Sequence, residues 1–221
     1  LKKFRVTVIK ADSERETAQG DAVLSGAEYG LYKDGKLMAS YFTDSNGKFT
    51  TDYFSCGNDY YIKEIAPSKG YLLDTKSYPL SAEPKNFTVE KNDLLLDVKE
   101  SVIKGKLSII KHADDGQTQI ETLEANAEFQ IYLKSAGSYS SAKDTEKDIL
   151  TTDNDGFAES KLLPYGKYTV HQTKGLEGRE FIKDFDVDVS ENGKNYKFLI
   201  NNAVLYSDIL LLKTDAETGK T

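Results

Sequence analysis

The strand-like stretches of this chain share one pattern: apolar residues alternate along a face, and a polar residue of the same parity closes the run. In FRVTVIKAD, KLSIIKHAD and ILLLKTDAE, the apolar positions Val6 and Val8, Leu107 and Ile109, and Ile209 and Leu211 lead to Lys10, Lys111 and Lys213. Residues two apart on a strand share a face, so each lysine is predicted to point toward a core with its apolar neighbours. A buried ammonium is costly; it pairs with an acid or gives up its proton, and the free amine is a nucleophile. The lysines recur about every hundred residues, the signature of a tandem repeat.

Laid on the first copy, the second preserves the order of elements. GAEYGLYKDGK at 26–36 matches NAEFQIYLKSA at 126–136, with Ala27, Tyr29 and Leu31, and Ala127, Phe129 and Ile131, alternating inward. TDSNGKF at 43–49 and TDNDGFA at 152–158 carry the Asn-Gly and Asp-Gly pairs of tight hairpins. Two further polar positions keep inward parity. Glu64 follows Tyr60 and Ile62, where the second copy has Gln172 after Tyr168 and Val170; Glu100 follows Leu96 and Val98, where the second copy has Asn202 after Phe198 and Ile200. Both copies read as all-β, with domains over 1–103 and 104–206 and the opening of a truncated third repeat over 207–221. The chain is therefore expected to be a piece of a longer protein. The polar insert SAGSYSSAKDTEKD at 135–148 has no apolar period and is predicted to be a solvated, mobile loop.

Composition narrows the function. A net charge of -7, with both signs interspersed, argues against nucleic-acid binding, and no apolar run approaches the length of a membrane span. The single Cys56 excludes an intramolecular disulfide, and with His112 and His171 on unrelated segments no catalytic site for an external substrate assembles. The run Asp153, Asn154, Asp155, Gly156 has the opening of a calcium loop, but Pro164 stands where the closing glutamate belongs, so a hairpin turn is expected and no metal or cofactor is assigned.

The lysine strand, the GAEYGLY segment, GNDYYIKEIAPSKGY and a closing strand that runs into the next lysine strand resemble the Cna protein B-type (prealbumin-like, SpaA-type) domains of Gram-positive surface proteins and pilins, twice over. The resemblance implies two tandem prealbumin-like (transthyretin-like, Ig-like) β-sandwiches. It also implies an isopeptide bond from the first-strand lysine to an asparagine or aspartate on the last strand, with the glutamate of YxxxE as proton shuttle. Carried over, Lys10 and Lys111 are the amines, Glu64 the shuttle of the first domain and Asn202 the acceptor of the second. Each domain departs at one place: Glu100 stands at the first acceptor position, and Gln172, which cannot deliver a proton as an acid does, at the second shuttle position. Two outcomes therefore stay open in each: a bond, or a buried lysine satisfied by Glu64 and Glu100 in one domain and by Gln172 and Asn202 in the other. Glu180, in GREF, is a candidate substitute acid. The function implied is a stalk module of a cell-wall-attached, extracellular surface protein or pilus-like adhesin whose partners are neighbouring domains of the same protein. The alternative is an adhesin domain that binds a host matrix protein or glycan.

Overall fold

The computed structural model describes residues 1–114 and 121–202. In the first half the alternating segments form β1 (Lys3–Asp12), β2 (Glu28–Lys33), β3 (Lys36–Phe42), β4 (Lys48–Thr50), β5 (Phe54–Ser55), β6 (Tyr60–Ala66), β7 (Ser77–Pro79) and β8 (Lys91–Glu100). In the second half they form β9 (Lys104–Asp114), β10 (Glu121–Leu123), β11 (Glu128–Leu133), β12 (Lys147–Thr151), β13 (Phe157–Glu159), β14 (Leu163–Pro164), β15 (Gly166–Lys174), β16 (Phe185–Val189) and β17 (Asn195–Asn202). The expected third repeat, with Lys213, lies outside the described residues.

Each half is a sandwich of two sheets. In the first, β1 runs parallel to β8 on one edge and antiparallel to β4 and β5 on the other, against a sheet ordered β3-β2-β6-β7. Phe4, Val6, Val8 and Val98 from one sheet meet Tyr29, Leu31, Tyr60 and Ile62 from the other. The second half repeats this plan. There β9 lies parallel to β17 and antiparallel to β10, β13 and β14, against β12-β11-β15-β16, and Leu107, Ile109 and Ile200 pack on Phe129, Ile131, Tyr168 and Val170. Alternation is what fills these cores, because every second residue of β1 is buried and the residues between are not.

The parallel register fixes the polar positions. Lys10 stands opposite Val98 and Asp12 opposite Glu100, so Glu100 lies one inward step beyond Lys10 on the neighbouring strand. Lys111 and Asn202 have the same relation, through Ile200 and Ala113. The hairpin turns hold the lysine backbone from the other side. Lys10 N donates to Gly47 O at 2.8 Å and Lys111 N to Gly156 O at 2.7 Å. Both glycines have positive φ, and a Cβ on either would meet the lysine carbonyl oxygen at 2.3 Å (Gly47) or 2.4 Å (Gly156). At Asp153 the motif is a turn, its Oδ1 accepting from the backbone N–H groups of Asp155 and Phe157.

The two sandwiches touch. Asp21 N donates to Tyr165 O at 2.8 Å, Asp21 Oδ1 accepts from Ser135 Oγ at 2.6 Å, and its Oδ2 accepts from Lys167 N at 3.1 Å. The 135–148 insert connects β11 to β12 as a largely exposed loop, and it is anchored at two places. It contains two short 3-10 turns, buries Ala142 and Glu146, and runs into β12; Glu146 Oε1 accepts from Gly20 N of the first half at 2.9 Å. A polar segment without periodicity can still be anchored when its partner is another domain, which a local pattern does not register.

Candidate functional site

Between the sheets of the first half, Lys10 from β1, Glu100 from β8 and Glu64 from β6 meet in a site closed to water, and Lys10 has no exposed surface. Lys10 Nζ lies 2.9 Å from Glu100 Oε2, yet the two are not aligned as donor and acceptor, so contact is made without a directed hydrogen bond. The ammonium also sits 3.6 Å from the centre of the Tyr71 ring, whose π-face is attractive to a cation. Glu100 Oε1 accepts from the Tyr29 hydroxyl.

Glu64 Oε2 accepts from Asp74 N at 2.6 Å, while its Oε1 is buried without a donor. Burial pushes the Glu64 carboxyl up to about 8, and neighbouring Glu100 pushes the same way, against the Asp74 N–H and Lys10. A carboxyl that keeps its proton in this fold can donate to Glu100, which satisfies an oxygen that would be orphaned in two ionised acids. Burial, then Glu100, likewise holds the Tyr29 hydroxyl far above its usual range, so it stays a donor.

In the second half the lysine turns elsewhere. Lys111, also without exposed surface, is paired with Glu124 Oε2 at 2.5 Å and donates to the His112 carbonyl. Glu124 Oε1 accepts from Leu176 N at 3.0 Å. Asn202 Nδ2 donates to Gln172 Oε1 at 2.9 Å and to the Glu180 carbonyl, while Asn202 Oδ1 is buried without a partner. Glu180 therefore meets the cluster through its backbone, and its side chain is exposed.

The structure thus brings Lys10, Glu64 and Glu100 together, and Gln172 with Asn202, as strand parity led one to expect. It sets Lys111 on an acid that parity did not reach. Glu124 lies between β10 and β11, where no period assigns a direction; the available signal was a glutamate standing where the first copy has Leu24. Tyr29 was legible as inward, and a buried tyrosine hydroxyl generally has a partner. Tyr71 lies outside the strands and carried no such signal.

Paired sheets whose first and last strands run parallel, with a buried lysine on the first strand of each, define the class, an all-β prealbumin-like sandwich in two tandem copies. The family described as SpaA, prealbumin-like fold domain, matches residues 4–98 and 105–204, and the chain belongs to it. Among solved structures, the TIE protein of Bacillus anthracis is 25% identical with a TM-score of 0.69, over 91% of this chain and 34% of that one. GBS52, a minor pilin of Streptococcus agalactiae, is 16% identical with a TM-score of 0.44, over 95% of this chain and 100% of that one. The shaft pilin SpaA of Lactobacillus rhamnosus GG, as an E269A/D295N double mutant, is 17% identical with a TM-score of 0.34, over 95% and 99%. Comparison with curated proteins finds no match.

Proposed function

We propose that this chain is a stalk module of a Gram-positive cell-wall-attached surface protein or pilus, two sandwiches in series, each closed by an isopeptide bond from its first strand to its last. The observation that carries this reading is the Lys10 amine 2.9 Å from Glu100 Oε2 in a site with no exposed lysine surface, beside an acid that keeps its proton. Family membership supports the setting. No helix among the described residues is long and apolar enough to cross a membrane.

In the first domain Lys10 Nζ bonds to Glu100 Cδ and a Cδ–O bond breaks. The Tyr29 hydroxyl polarises the oxygen that stays, and Glu64 lends its proton to the oxygen that leaves and recovers one from the nitrogen. An ammonium and a carboxylate become an amide and one water, with no net proton released. In the second domain Lys111 and Asn202 give an amide and ammonia. Either bond closes a loop of about 90 residues, on the order of 4 kcal/mol against unfolding by the chain-entropy account of crosslinks.

Intact mass of the unfolded chain tests this. The wild type is expected to fall short of its theoretical mass by one water and one ammonia; Lys10→Ala abolishes the water deficit and Lys111→Ala the ammonia deficit, each judged against its own theoretical mass. A wild type at full mass refutes both bonds.

A further inference from the structure

We propose that Glu124 is the catalytic acid–base of the second domain, carrying protons between Lys111 and Asn202 as their side chains condense. The inference rests on the crosslink reading above and names the residue that replaces the missing shuttle.

Glu124 touches the reacting amine. Its Oε2 is 2.5 Å from Lys111 Nζ, its Oε1 is held by Leu176 N–H, and the residue is 3% exposed. Its backbone position is that of Leu24, since Thr43 Oγ1 donates to Leu24 O as Thr152 Oγ1 donates to Glu124 O, both at 2.7 Å. The two copies have therefore exchanged sites: the first pairs Leu24 with Glu64, the second Glu124 with Gln172. Glu124 and Gln172 flank the same glycine. A Cβ on Gly175 would stand 2.7 Å from Gln172 Nε2 and 3.4 Å from Glu124 Oε1.

The acceptor is oriented for such a group. Gln172 Oε1 accepts from Ile182 N at 3.2 Å and its Nε2 donates to Lys174 O at 3.1 Å, so two backbone groups fix which way its amide faces. Asn202 must then present Nδ2 to Gln172, which makes Gln172 a positioning residue. Asn202 Oδ1 is left buried and partnerless, because the tyrosine whose hydroxyl serves Glu100 in the first domain is Phe129 here. A carbonyl without a resident donor is activated by a proton that arrives with the reaction.

The step balances. The Lys111 ammonium gives a proton to the Glu124 carboxylate, Nζ attacks Asn202 Cγ, and Glu124 protonates Oδ1. The carboxylate takes the next proton from the nitrogen and passes it to Nδ2; as the Cγ–Nδ2 bond breaks and the carbonyl re-forms, the Oδ1 proton leaves on the departing ammonia. One Nζ–Cγ bond replaces one Cγ–Nδ2 bond, an ammonium ion leaves, and nothing is oxidised.

The test is intact mass of the folded, then denatured, protein for wild type, Glu124→Leu, and Glu124→Leu with Gln172→Glu. The double variant restores to the second domain the arrangement of the first. Besides the water lost in the first domain, wild type is expected to lack one ammonia, Glu124→Leu to retain it while circular dichroism still reports the β-fold, and the double variant to lose it again. Should Glu124→Leu fail to fold, recovery of both fold and ammonia loss in the double variant supports the role. Ammonia loss that persists in Glu124→Leu overturns the role of Glu124 and leaves the crosslink standing. A deficit of water abolished by Lys111→Ala overturns it differently, by making Glu124 the acceptor. A wild type with no deficit traceable to Lys111 removes the crosslink and Glu124's role together.

Discussion

Glu64 and Glu100 are two carboxyls in one dry site with one lysine between their strands, and a single proton settles the charge. Glu64 holds that proton in the fold up to about pH 8, against an ordinary value near 4.5. Between those values the unfolded chain ionises and the folded one does not, so the stabilisation is complete below the lower value and is lost as pH rises through the upper one. Denaturant titrations at pH 5 and pH 8.5 are expected to show the wild type more stable at the lower pH, with the difference reduced in Glu64→Gln. An equal slope in both proteins would place the titration elsewhere. Amide formation between Lys10 and Glu100 would remove two charges but not the burial, the leading cause of the shift, so the sign is the same in either state.

Among the elements, the strands were legible because a period of two is written into each, and the same parity carried Lys10, Glu64, Glu100, Gln172 and Asn202 inward. Glu124 was not, since its direction is set by a Thr152 hydroxyl and a Leu176 N–H far away in sequence. The insert at 135–148 is the inter-strand loop its composition indicates, but its anchor, Gly20 of the other sandwich, is written in no local period. The hairpin turns were foreseen as turns but not as supports for the lysines. Gly156 and Gly137 both have positive φ, but only at Gly156 would a Cβ meet a backbone atom, Lys111 O at 2.4 Å, whereas Gly137 has nothing within 4 Å. Gly156→Ala is expected to cost about 1–3 kcal/mol and Gly137→Ala to fall at or below the low end of that range. Thermal melts of the two variants check the order, and equal losses would show that backbone strain alone matters.

For the whole molecule, the joint between the sandwiches combines the Asp21 contacts with Gly20 on Glu146, Glu14 on Lys104 and Tyr165 packed against Ala22, Tyr71 and Val102. Asp21 alone engages Ser135, Tyr165 and Lys167, and Gly20 and Gly70 admit no side chain where Tyr165 packs. Asp21→Ala is expected to spread the relative orientation of the halves, seen as reduced agreement between their residual dipolar couplings, while each half keeps its stability within about 0.5 kcal/mol, the usual range for surface positions. Unchanged couplings would locate the joint's stiffness in its remaining contacts, Gly20 with Glu146 and Glu14 with Lys104, and in the short connection through Ser101 and Ile103.

The parallel pairing of β1 and β8 has a mechanical meaning. In a chain pulled from its two ends, tension would enter a sandwich at the start of β1 and leave at the end of β8, so the two strands would be drawn past each other along their length and their ladder bonds loaded together instead of one at a time. Lys10 and Glu100 sit near the exits of those strands. With the two side chains joined, the load path would run along β1, cross at the amide and pass into Ser101 and the next sandwich, and the chain between Lys10 and Glu100 would carry none of it.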